Sequence, residues 1–124
     1  MDKLKFINEQ MGILDIPYNF GLWKDAIKYP YFVGEITEEE TATEDGMEQA
    51  TLILSGFNRG DFISLENAKE KIKNHFDPIC GLRVETESGA IVAFFDTSFY
   101  VPTNEAELQR IQINIRIKQW KGRI

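Results

Sequence analysis

This 124-residue chain has one cysteine and one histidine. The lone Cys80 has no intramolecular disulfide partner, so no disulfide framework holds the fold, and a reducing compartment suits it. Between Ile79 and Gly81 it reads as a buried or half-buried small apolar residue rather than a nucleophile. One cysteine and one histidine are too few for structural zinc. A catalytic triad would have only His75 as its base, and that residue sits between Asn74 and Phe76 as a surface position on a helix. Phosphate cradles are missing as well: neither GxGxxG nor GxxxxGK occurs. No cofactor is therefore expected. No apolar run approaches the ~20 residues of a membrane span. The opening MDKLKFINEQ is polar from its second residue and has no hydrophobic signal core, so neither membrane association nor export is expected.

Bases are also scarce. Fourteen Lys and Arg stand against twenty Asp and Glu, a net charge of -6, which argues against wrapping a phosphate backbone. Those near the end, Arg116, Lys118, Lys121 and Arg123, read as a solvated strand edge and tail. What remains is ordinary globular composition, 43% hydrophobic and 27% charged, which predicts a single folded domain over 1–124.

Leu4, Ile7, Met11 and Leu14 recur at helical spacing, with Lys3, Lys5, Asn8, Glu9 and Gln10 placed on the other face. The aromatic stretch from Asp15 to Pro30 is irregular, with a helical turn expected around Leu22 to Lys28. Tyr31 to Val33 and Ala50 to Phe57 read as the strands of a hairpin, Asp45-Gly46 supplying the positive φ of its turn. A second helix follows, with Ser64 as N-cap, Glu66 in the first turn, and Leu65, Ala68, Ile72 and Phe76 as its apolar stripe; Asp77-Pro78 stops it. Leu82 to Glu87, a turn at Ser88-Gly89, and Ala90 to Val101 form a second hairpin, with Ile91, Ala93 and Phe95 on one face.

The clearest pattern comes last. From Gln109 to Lys118, Ile111, Ile113, Ile115 and Ile117 alternate with Gln112, Asn114, Arg116 and Lys118, which predicts a strand with one face buried and one wet. The fold class is therefore α+β: a mainly antiparallel sheet of about five strands with two to three helices packed on one face.

The acidic stretch Glu38, Glu39, Glu40, Glu44 and Asp45 lacks the burial that tunes catalytic carboxylates and the Asp/Asn-Gly alternation of an EF-hand loop. It reads as a solvated loop with a mobile tip, or as an acidic arm that orders against a partner. Trp23 and Trp120 suit either packing or an interface. Residues expected to meet other proteins are Glu38, Glu39, Glu40, Glu44, Asp45, Asn114, Arg116 and Trp120; none is expected to be catalytic or to bind metal. Two other functions fit parts of the sequence. One is a small acidic inhibitor or immunity-type protein that covers a basic enzyme surface. The other is a ligand-binding or enzymatic domain with a pocket lined by Trp23, Tyr18, Phe94 and Tyr100.

From Leu22 onward the chain resembles the tail terminator, or tail completion, proteins of long-tailed bacteriophages, also called tail-to-head joining proteins. The residues that carry the likeness are Tyr29-Pro30-Tyr31-Phe32-Val33-Gly34-Glu35, the acidic stretch ending at Asp45-Gly46, the strand from Thr51 with its exit Phe57-Asn58-Arg59-Gly60, the helix with Ala68 and Ile72, and the closing alternating strand. Phe57 stands where many relatives carry tryptophan. The resemblance implies a virion subunit, assembled in the host cytoplasm, that forms a ring, expected to be a hexamer, on the head-proximal end of the tail tube. Its implied partners are further copies of itself, the tail tube protein and the head connector, and DNA would pass through the ring without specific binding.

Overall fold

Four isoleucines alternate with polar residues because the strand they form has two unlike sides. In the computed structural model, which describes residues 2–22, 26–42, 47–86 and 89–121, that strand is β6 (Leu108–Lys121). Ile111, Ile113, Ile115 and Ile117 on it are fully buried. With β1 (Tyr18–Phe20), β2 (Tyr31–Ala42), β3 (Met47–Arg59), β4 (Leu82–Thr86) and β5 (Gly89–Val101) it builds a six-stranded sheet ordered β1-β2-β3-β6-β5-β4. The two hairpins, β2–β3 and β4–β5, are joined by β6, the last strand in sequence.

The expected mainly antiparallel sheet of about five strands is corrected to six strands in a mixed sheet, because β1 pairs parallel to β2 while the other four pairings are antiparallel. Three residues are too few to show a period of two. β1 is held where Phe32 donates to the Pro17 carbonyl at 2.9 Å and Gly21 donates to that of Gly34 at 2.8 Å.

Helices α1 (Asp2–Ile13) and α2 (Ile63–His75) pack on the same sheet face. Phe6, Ile7 and Met11 from α1 and Leu65, Ala68, Ile72 and Phe76 from α2 and its end join Leu52, Leu54, Ile91, Ala93, Phe95 and the β6 isoleucines in one core cluster. Each large apolar side chain buried there contributes roughly 1.5–3 kcal/mol. The helices also meet directly, with the Phe6 and Phe76 rings 6.4 Å apart and Lys71 Nζ donating to the Leu14 carbonyl at 3.1 Å. Across the sheet the Phe32 ring lies over Gly56, its register partner, where a methyl group would run into it.

Several local expectations change. Lys3 and Gln10, placed on the wet face of α1, are buried. Lys3 Nζ lies 3.7 Å from Glu38 and 3.6 Å from Glu48, so its stem covers core while its charge is met on the β2–β3 hairpin. The N-cap of α2 is Phe62, not Ser64. Asp61 Oδ1 instead accepts from the Ser64 N–H at 2.9 Å, satisfying one of the helix's orphan donors. His75 is half-buried rather than on the open surface, its Nε2 2.7 Å from Gln10 Oε1. Cys80 is exposed, not buried. It lies in a turn where Asp77 Oδ1 accepts from the Ile79 and Cys80 N–H groups, both at 2.8 Å. Around Leu22 to Lys28, residues 22 and 26–28 form no helix, and Trp23 lies outside the described residues.

The largest change concerns the acidic stretch. β2 runs on to Ala42, with Glu35 to Glu38 in register with Ile53 to Ala50 and a bulge before Ala42. Pairing with the apolar β3 overrides glutamate's poor preference for strands. Glu44 and the Asp45-Gly46 turn, with Ser88 and Arg123, lie outside the described residues.

Candidate interaction surface

Among the described residues, both helices lie on one face of the sheet, and the opposite face carries the polar half of the β6 alternation. The register sets Arg110 beside Phe57, Asn114 beside Ile53 and Thr97, Arg116 beside Thr51 and Phe94, and Trp120 between Met47 and Ala90. Asn114, Arg116 and Trp120, three of the expected contact residues, therefore share this open face.

Its most organised feature is a set of cations on aromatic rings. The Arg110 guanidinium is centred 5.6 Å from the Phe57 ring, while Arg116 and Lys118 lie 5.9 and 5.8 Å from that of Phe94. At such distances the ring quadrupole attracts the cation and holds an otherwise loose side chain in place. The Phe57 ring also stacks on Tyr31 at 5.1 Å with an interplanar angle of 22°, and Tyr31 packs on Tyr29 at 5.6 Å. Between the two cation sites Asn114 Nδ2 donates to Thr97 Oγ1 at 3.0 Å, and Gln112 Nε2 donates to Asn114 Oδ1 at 3.3 Å. A groove of about 220 Å3 runs beside Arg110, lined by Leu22, Val33, Glu35 and Phe57.

Of the acidic residues expected to make contacts, only Glu38 has a described side chain, and it does not join this surface. Glu38 faces the helices and is engaged by Lys3. Glu39 and Glu40 are placed by their backbone in the far half of β2, and Glu44 and Asp45 lie outside the described residues. Arg110, Lys118 and Phe57 were not among the expected contact residues, and Phe94 was expected only in a ligand pocket. The β6 alternation that marks Asn114 and Arg116 reaches Arg110 and Lys118 equally, whereas the rings beneath them depend on strand order, which spacing does not encode.

Of the pocket lined by Trp23, Tyr18, Phe94 and Tyr100, Trp23 lies outside the described residues and the other three do not come together. Tyr18 and Tyr100 lie in one row on β1 and β5, roughly 19 Å apart at four strand spacings, and Phe94 is on the opposite face. The Tyr100 hydroxyl donates to Glu66, and its ring stands edge-on to Phe62 at 5.1 Å. Burial, then the Glu66 carboxylate, raises the Tyr100 pKa; the same hydrogen bond, then that from Lys69, lowers that of Glu66.

Among the described residues no group of three or more His, Cys, Asp or Glu is placed to hold a metal ion, and no helix is long and apolar enough to cross a membrane. Neither a protein-family model nor a curated protein matches the chain.

Proposed function

We propose that this chain is a structural subunit of the phage tail-terminator type. It assembles into a ring, taken to be hexameric, on the head-proximal end of a tail tube, ends the tube's growth and offers the joint to the head connector. The observation that carries the proposal is the open face of the sheet: rings clamped under Arg110, Arg116 and Lys118, framed by hydrogen-bonded amides. Ordered aromatic and arginine side chains on an uncovered surface are the composition of protein interfaces. The role needs no active site. DNA passes through the ring and is not held, which suits a subunit with a net charge of -6.

The test is sedimentation velocity and negative-stain electron microscopy of the protein alone and with polymerising tail tube protein. Rings seated on one end of tubes that stop lengthening are the expected result. Monomers in both settings, with tube growth unchanged, would overturn the proposal.

A further inference from the structure

Where α2 begins, at the end of the sheet, lies a cavity of about 340 Å3. Val101, Pro102 and Leu108 give it apolar walls, and Phe62 and Tyr100 line it with their rings. Its frame is held by the protein itself. Thr103 Oγ1 lies 2.7 Å from the carbonyl oxygens of Glu105 and Leu108, the Gly60 N–H donates to the Glu107 carbonyl at 2.8 Å, and Arg59 pairs with Glu105 at 2.8 Å. The hydrogen bond from the Tyr100 hydroxyl to Glu66 sets the Tyr100 ring.

Gln109 also lines this cavity and is only 7% exposed, yet its Oε1 is buried without a hydrogen-bond partner among the described residues. Buried polar atoms ordinarily find partners. The last torsion of a glutamine side chain is soft, so a small turn of the amide offers this acceptor to whatever fills the cavity.

The surroundings define what fits. An apolar cavity of about 150 Å3 holds benzene, and roughly twice that volume suits two fused rings. Phe62 and Tyr100 are both exposed and meet at 87° with centroids 5.1 Å apart. A flat ring can stack on one and turn its edge to the other, the two arrangements aromatic pairs prefer. The charged residues along the cavity are already engaged, Glu105 by Arg59 and Arg110 by the Phe57 ring on the other face of the sheet, which favours a neutral ligand.

We propose that this cavity binds a neutral fused-ring heteroaromatic group with one N–H donor, of the indole type, its rings in the corner of Phe62 and Tyr100 and its N–H on Gln109 Oε1. An indole nitrogen donates and does not accept, which matches a lone unmet acceptor. A free small molecule or the tryptophan side chain of a partner protein can supply the group. The site stands apart from the cation-bearing rings of the open face and does not depend on ring assembly.

Indole titrated into the isotope-labelled protein should give saturable nuclear magnetic resonance shifts at Phe62, Tyr100 and the Gln109 side-chain amide. N-methylindole, which keeps the rings and lacks the donor, should bind roughly 3- to 10-fold more weakly. Gln109→Met keeps the bulk, removes the amide oxygen and should bring the two probes to equal affinity. Phe62→Ala, at an exposed position, should weaken both probes roughly tenfold; it carries the test if circular dichroism shows that Gln109→Met does not fold. Shifts elsewhere or none, equal binding of both probes to the wild type, a preference for indole that survives Gln109→Met, or unchanged affinity in Phe62→Ala would overturn the site. A blocked glycyl-tryptophyl-glycine tripeptide separates the two sources. Binding at least as tight as that of indole assigns the site to a partner's tryptophan, and binding of indole alone assigns it to a small molecule.

Discussion

Tyr18 packs on the edge of the core with its hydroxyl buried and without a hydrogen-bond partner, and burial pushes its pKa up to about 12. An unmatched buried hydroxyl costs about 1–3 kcal/mol. Tyr18→Phe keeps the ring against Gly34 and should stabilise the protein by about 1 kcal/mol, read as a higher urea midpoint; a lower midpoint would contradict the assignment. His75 makes the opposite kind of statement. Burial holds its pKa below the ordinary histidine value, so the folded protein binds that proton less readily than the unfolded chain does. Its contribution to stability is therefore complete above about pH 6.5 and is lost as the pH falls through that value toward the lower folded one. Urea midpoints taken across this window should fall more steeply for the wild type than for His75→Gln.

At the scale of elements, β6 holds the sheet together, and its two sets of residues should separate in experiment. Ile115→Ala, at a fully buried position, should lower stability by about 2–5 kcal/mol, and Ile113→Asp should abolish folding; both are read by denaturant titration followed by circular dichroism. Substitutions at Arg116, which is exposed, should leave the melt unchanged. This strand was legible in the sequence because its two faces meet different surroundings and the alternation survives for its whole length. The stripe of α2 was legible for the same reason, although its start was not, since Asp61 in place of Ser64 provides the capping oxygen. β2 beyond Gly34 was illegible: glutamates argue for a loop, and only the pairing with β3 and the reach of Lys3 to Glu38 make it a strand. The burial of Lys3 had no warning in a helix whose neighbouring Lys5 is exposed. Of the interaction surface, the sequence marked the polar side chains of β6, while the rings beneath them came from strands brought alongside only by the fold.

Taken whole, the molecule is a sheet whose middle is better protected than its margins. β3, β6 and β5 are paired along their lengths, whereas β1 covers three residues of its neighbour and β4 covers five. Native-state hydrogen exchange should therefore be slowest in β6 and the facing parts of β3 and β5 and fastest in β1 and β4; uniform protection across all six would contradict this division. The central position of β6 also imposes an order in time. Its pairing with β5 is local, Val101 against Arg110, but its pairing with β3 reaches far back in the chain, Met47 against Trp120 and Arg59 against Leu108, and such distant pairings form slowly. Until the β3 pairing forms, the two hairpins share no strand, and Arg110 has no Phe57 ring to rest on, whereas Arg116 and Lys118 meet Phe94 within the local β5–β6 pairing. The pairing that completes the fold thus also completes the charged surface, joining its Arg110–Phe57 end to its Phe94 end. A half-folded subunit cannot display it whole, and this built-in proofreading would keep unfinished copies out of any assembly that uses both ends of that face.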